Sequence, residues 1–172
     1  MSWPIPRSAP GTTHGADELA GINFVDASIK FFPEFVGENL KNQAPMTSEG
    51  LATNIAATRA FVHGCFEKEP TAEDFETMLS FNMMVPTKVR GYLGGRPLDA
   101  TEVMSKLKIP VLVTHGDKDC NSKLGTAQYT AKTIPGAKLS VYEGIGHAPF
   151  YEDAARFNTE LTAFVRGANK TN

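Results

Sequence analysis

The chain has 172 residues, 41% of them hydrophobic and 21% charged, with 17 basic against 19 acidic side chains and a formal net charge of -2. That length supports one domain with a core of its own, or a small domain with an appended subdomain, and the near-balanced charge excludes the basic footprint of a nucleic-acid binder. No stretch approaches the roughly 20 apolar residues of a bilayer span, so no membrane partner is expected.

Residues 1–18 are rich in proline and lack the apolar core of a secretory signal, which predicts an N-terminal arm and a cytoplasmic protein. Leu19 to Ala27 is a β-branched and aromatic run ending near Asp26, as in a buried parallel strand. From residue 28 to 107 no comparable strand signal follows, and the pattern is helical. A helix is predicted over Ile29–Lys41, with Pro33 in its first turn. Another carries Leu51, Ile55, Thr58, Val62 and Phe66 on one arc. A third starts from Thr71 as N-cap and buries Phe75, Met78 and Leu79, with Asn82 on the same stripe, before Pro86 stops it. Shorter helices follow from Lys88 to Leu93 and, capped by Asp99, to Leu107.

The period changes at Ile109. Val111, Leu112 and Val113 read as a second parallel strand, and Ser122 caps a helix with Leu124, Ala127, Gln128, Ala131 and Ile134 on one face. Leu139–Tyr142 is the third strand, and Asp153–Arg166 an amphipathic helix presenting Ala154, Phe157, Leu161, Phe164 and Val165. Strands alternating with helices of this length argue a parallel α/β sheet within a core segment over 108–167, followed by a disordered tail at 168–172. In such sheets functional groups gather beyond the carboxyl ends of the strands, where Asp26, Asp117, Asp119 and His147 all fall.

Gly116-Asp117-Lys118-Asp119 and Gly146-His147-Ala148-Pro149 together resemble the C-terminal part of an α/β-hydrolase of the serine type. The resemblance implies an α/β class with a partial α/β-hydrolase fold. Its three parallel strands would be the last three of the family sheet, and residues 28–107 an all-helical cap inserted after the first of them. It implies an ester or similar bond as substrate, no cofactor and no metal. Asp119 would be the acid and His147 the histidine of a nucleophile-histidine-acid triad, with Asp26 as the alternative acid because some members place it after the sixth strand. Cap residues Phe81, Asn82, Met83, Met84 and Tyr92 would line a substrate pocket, although packing between lid helices is the favoured account of most of them.

The remaining candidates weigh less. Asp117 reads as a turn former, His115 as a hydrogen-bonding residue at the sheet edge, His63 as a cap-helix residue and His14 as part of the arm. Cys65 and Cys120 match no metal or redox spacing and are expected as reduced thiols, Cys120 as a small packing residue. Gly144 and Gly146 are expected to supply positive φ to the histidine loop.

The 172 residues contain no Gly-x-Ser-x-Gly, nor the same frame with Cys or Asp at its centre. In the family this turn carries the nucleophile and half of the oxyanion hole. The chain is therefore expected to be inactive alone and to take an ester-like substrate only if completed by an N-terminal half. The alternative is a noncatalytic interaction module derived from a hydrolase. In either case the strand over 19–27 would leave an apolar edge open, which predicts a homodimer.

Overall fold

A computed structural model describes residues 19–94 and 97–168. The arm, His14 and residues 169–172 of the predicted tail lie outside the described residues. The sheet has three strands, β1 (Ile22–Val25), β2 (Val111–Gly116) and β3 (Lys138–Tyr142), in the order β1-β2-β3. Both pairings are parallel, with Phe24 opposite Val113 and His115 opposite Val141. Every residue of the central strand is buried, so Val111-Leu112-Val113 is apolar at successive positions where a half-exposed strand would alternate.

One face of the sheet is covered by α5 (Gly125–Thr133). Val111, Val113, Ala127 and Ile134 form the buried cluster there, with Ile22, Phe24 and Leu124 packed against it. On the other face lies α7 (Ala154–Ala168), led in by the single turn α6 (Pro149–Glu152). Arg156 and Glu160 fasten α7 to β3. The Glu160 carboxylate accepts from Ser140 Oγ and Tyr142 Oη at 2.7 and 2.9 Å, and Arg156 lies 3.8 Å over the Tyr142 ring.

Between β1 and β2 the chain is helical, but its first part is not the expected α-helix. Ile29–Lys41 contains 3-10 turns at Pro33–Phe35 and Glu38–Asn42, separated by extended residues. Pro33 and Gly37 divide the segment, and Val36 pairs as an isolated bridge with Ser122. Gly37 sits so close to the Cys120 carbonyl that a side chain would collide with it.

The cap helices are α1 (Leu51–His63), α2 (Ala72–Met83), α3 (Thr87–Gly94) and α4 (Thr101–Met104). In α1 the buried face is Asn54, Ala57, Thr58 and Val62, while Leu51 is 67% exposed. The helix is thus rotated from the arc read off its apolar residues. The burial of Asn54 explains the rotation, since its Nδ2 donates to the Met46 carbonyl at 3.0 Å and its Oδ1 accepts from Thr58 Oγ1 at 3.2 Å. Thr71 caps α2 through the Asp74 N–H, and Phe75 and Leu79 pack on Val62. Ser122 does not cap α5, whose preceding residue Leu124 makes no side-chain cap. No helix of the described residues is long and apolar enough to cross a membrane.

Candidate active site

The loops after the three strands converge beyond their carboxyl ends. After β2 the chain turns at Asp117 and delivers Asp119 inward. Asp119 Oδ1 accepts the backbone N–H groups of Asn121 and Ser122 at 2.7 and 3.0 Å. Its Oδ2 lies 2.8 Å from His147 Nδ1. The carboxylate is buried and committed on both oxygens, whereas the histidine side chain is 33% exposed.

His147 is set by backbone contacts with the cap as well as by its carboxylate. Its N–H donates to the Cys65 carbonyl at 2.8 Å. The preceding Gly146 N–H donates to Glu152 Oε1 at 2.9 Å, and Glu152 Oε2 accepts the Glu67 and Lys68 N–H groups at 3.0 and 2.8 Å. One carboxylate thereby joins the histidine loop to the end of α1. Of the two glycines here, only Gly144 has positive φ, at 68°. Gly146 is needed for a different reason, because a Cβ there would lie 2.8 Å from the Cys65 carbonyl oxygen.

Burial alone would pull the His147 pKa down, but the hydrogen bond and charge of Asp119 outweigh it, helped by Asp26, and the net shift is upward from 6.5. With Nδ1–H given to Asp119, Nε2 keeps a lone pair and can take up a proton. The thiol of Cys65 is pushed up to about 11, first by burial, so it is no thiolate nucleophile. Cys120 is exposed rather than packed.

Asp26 lies at the end of β1 with a φ of 47°. It bonds the Gly116 N–H at 3.0 Å and not the His147 ring. His115, on the central strand, is fully buried, with Nε2 2.8 Å from the Ser122 carbonyl. Asp26, His115 and Asp119 bring one potential metal-ligand atom each within 4.8 Å. A cation there would compete with the bonds that hold Asp119 on His147. His63 lies away from this cluster, stacked on Phe75 and 3.0 Å from Glu69.

A cavity of about 210 Å³ opens at His147, lined by Phe31, Phe32, Phe35, Leu40, Phe61 and Asn121 among others. A larger groove of about 720 Å³ shares Phe31, Leu40, Gln43 and Phe61 with it and continues to Arg90 and Leu93. The cap residues read from sequence sit elsewhere. Phe81 and Met84 line a shallow hollow with Glu73 and Glu76, Met83 packs on the α1–α2 cluster, Asn82 Nδ2 bonds the Met78 carbonyl within its own helix, and Tyr92 is 58% exposed.

The sequence reading missed Glu152, whose role appears only when α6 folds back on the cap, and Asn39. Asn39 Nδ2 donates to Asn121 Oδ1 at 2.7 Å and Asn121 Nδ2 contacts Cys65 Sγ at 3.3 Å, beneath the acid turn. It also missed the aromatic run Phe31-Phe32, whose clustering with Phe35 was the available signal.

An esterase from Rhodococcus sp. ECU1013 superposes on 91% of the chain with a TM-score of 0.83 and 26% identity. The chain belongs to the α/β-hydrolase superfamily. Two curated relatives agree with this α/β-hydrolase assignment. The non-heme chloroperoxidase CPO-A1 of Kitasatospora aureofaciens is 41% identical over 70 residues, and a pimeloyl-[acyl-carrier protein] methyl ester esterase of Neisseria meningitidis is 33% identical over 69. The chain spans 59% of the Rhodococcus structure, and the matched stretches cover 26% and 27% of the two curated relatives. No family model matches the chain.

Proposed function

We propose that these 172 residues are the acid- and histidine-bearing portion of a serine-type α/β-hydrolase acting on an ester or similar bond, and that they are inactive by themselves. The observation that carries this reading is the 2.8 Å contact between Asp119 Oδ2 and His147 Nδ1. A histidine held in that tautomer takes the nucleophile's proton at Nε2 and returns it to the leaving group, while the carboxylate stabilises the imidazolium formed in between. Two of the relatives are esterases by name, which favours the ester bond. The small aromatic cavity at His147 suits a short acyl or aryl group.

The 172 residues offer no nucleophile turn. Loss of a triad nucleophile costs on the order of 10⁶-fold in rate, and without the oxyanion hole the residual catalysis is lost too. The nucleophile and oxyanion donors therefore come from another polypeptide segment.

An active-site-directed fluorophosphonate tests this. The isolated chain is expected to stay unlabelled, and covalent labelling of any of its side chains would overturn the reading. Co-expression with a segment bearing Gly-x-Ser-x-Gly is expected to restore hydrolysis of a p-nitrophenyl ester. Asp119→Asn should then lower the restored rate by about 10⁴-fold. Restored turnover that ignores His147→Ala would sink the assignment of the histidine.

A further inference from the structure

Behind the acid turn lie two buried titratable groups that the triad does not use. Asp26 and His115 are 6% and 0% exposed, and Asp26 Oδ2 and His115 Nδ1 have no hydrogen-bond partner. Leaving such atoms unpartnered in a buried site is costly. His115 Nδ1 is 3.4 Å from Asp26 Oδ1.

The proton inventory follows from the neighbours. His115 Nε2 is 2.8 Å from the Ser122 carbonyl, which can only accept, so Nε2 carries the hydrogen. A neutral ring then turns a lone pair at Nδ1 toward Asp26. An ionised Asp26 would set acceptor against acceptor, with the Asp119 carboxylate close by on the other side of the ring, 3.6 Å from Nε2. The alternative, an imidazolium facing a carboxylate, would leave a charge on each of two buried groups.

We propose that Asp26 is a neutral carboxylic acid whose proton is directed to His115 Nδ1, and that this buried pair is a positioning unit for Asp119. The connection runs through one peptide group. Asp26 holds the His115 ring, His115 Nε2–H holds the Ser122 carbonyl, and the Ser122 N–H holds Asp119 Oδ1 at 3.0 Å. Asp26 is itself fixed by the Gly116 N–H.

The electrostatics agree. Burial is the largest influence on Asp26 and, with Asp119 and Glu152 adding to it against the Gly116 bond and the His147 charge, pushes its pKa up to about 7. Burial likewise holds His115 below 6.5, against the opposing charge of Asp119 and the bond to Ser122, while His147 adds to the lowering. Both shifts favour the uncharged pair. While Asp26 is neutral, His147 faces one buried negative charge, on Asp119. Ionisation of Asp26 adds a second and raises the His147 pKa further.

This inference rests on Asp119 and His147 being the acid and histidine, but its test needs no turnover. Carboxyl ¹³C and imidazole ¹⁵N resonances of the full chain would be followed from pH 5 to 9. The Asp26 carboxyl is expected to titrate near neutrality, with His115 uncharged and protonated on Nε2 below that midpoint, and His147 is expected to show a second inflection there. A carboxylate at Asp26 throughout, or an imidazolium at His115, would overturn the proposal. Asp26→Asn keeps a donor for Nδ1 and should abolish the second inflection while retaining the low-field Nδ1–H proton of His147. Loss of that proton in Asp26→Asn would equally overturn it. Should the variant fail to fold, the wild-type titration alone decides. A failed ester assay with this titration intact would count against the hydrolase reading and not against the pair.

Discussion

Asp119 is held by two backbone N–H groups and gives its remaining oxygen to His147, so its replacement acts in two ways. Asp119→Asn removes the charge and the charge-assisted bond that outweigh burial at His147, and the His147 titration midpoint should drop, as read by ¹⁵N NMR. The sign of the stability change follows from linkage. A histidine whose folded pKa is raised contributes stability that is fully present below its unfolded value of 6.5 and is lost as pH rises through the folded value. Asp119→Asn should therefore destabilise more at pH 5.5 than at pH 8 in urea titrations, and the reverse order would contradict the pairing. Glu152 is a second residue-scale test. Its carboxylate serves three backbone N–H groups across the cap boundary, and bonds to a charged group are worth about 1.5–3 kcal/mol each at most. For this half-exposed group Glu152→Ala should cost about 2 kcal/mol in urea unfolding, and a change within about 0.5 kcal/mol, as for ordinary surface positions, would mean that water replaces it freely.

Among the elements, those with strong local signals were legible in the sequence and those shaped by distant contacts were not. β2 and β3, the acid turn and the histidine turn follow from β-branched runs and from glycine and aspartate at the turns, all local properties. The Ile29–Lys41 segment did not follow, because its 3-10 turns are fixed by pairing with Ser122 and by the close approach of Gly37 to Cys120, residues some 85 positions away. The face of α1 was misplaced for a similar reason. Its apolar arc includes Leu51, which is exposed, while Asn54 is buried because the Met46 carbonyl waits for it. The α1–α2 pair can be tested as a unit. Leu79 is 6% exposed and packs with Val62 and Phe75, so Leu79→Ala should cost about 2–5 kcal/mol. If the cap is a separately opening unit, the amides of α1 and α2 should exchange faster in hydrogen exchange while those of β2 keep their protection. Equal acceleration in both would show that cap and core unfold together.

At the scale of the whole molecule the decisive feature is the edge of the sheet at β1, which among the described residues pairs only with β2. The opposite edge begins at the exposed Lys138, a charge that discourages strand addition, whereas Ile22-Asn23-Phe24-Val25 carries none. Ile22 N–H and Asp26 N–H both bond toward β2, so the period of two turns the N–H groups of Asn23 and Val25 to the open side. We propose that a second copy of the chain covers this edge about a two-fold axis and that the two three-stranded sheets join as one. Four residues a side supply few bonds, and a stable dimer needs on the order of 1,000 Å² of buried surface, so the flanking surfaces must contribute. Light scattering on the eluted peak at micromolar concentration should give twice the mass of one chain, and a monomer would rule the pairing out. Val25→Pro sharpens the test, because proline is tolerated on an edge strand whose N–H faces outward and it deletes only the outer bond. The variant should keep its fold by circular dichroism and elute as a monomer. If the nucleophile-bearing segment adds to the same edge, it should also convert the dimer to a one-to-one complex, and a complex that retains two copies of this chain would show that the two partners use different surfaces.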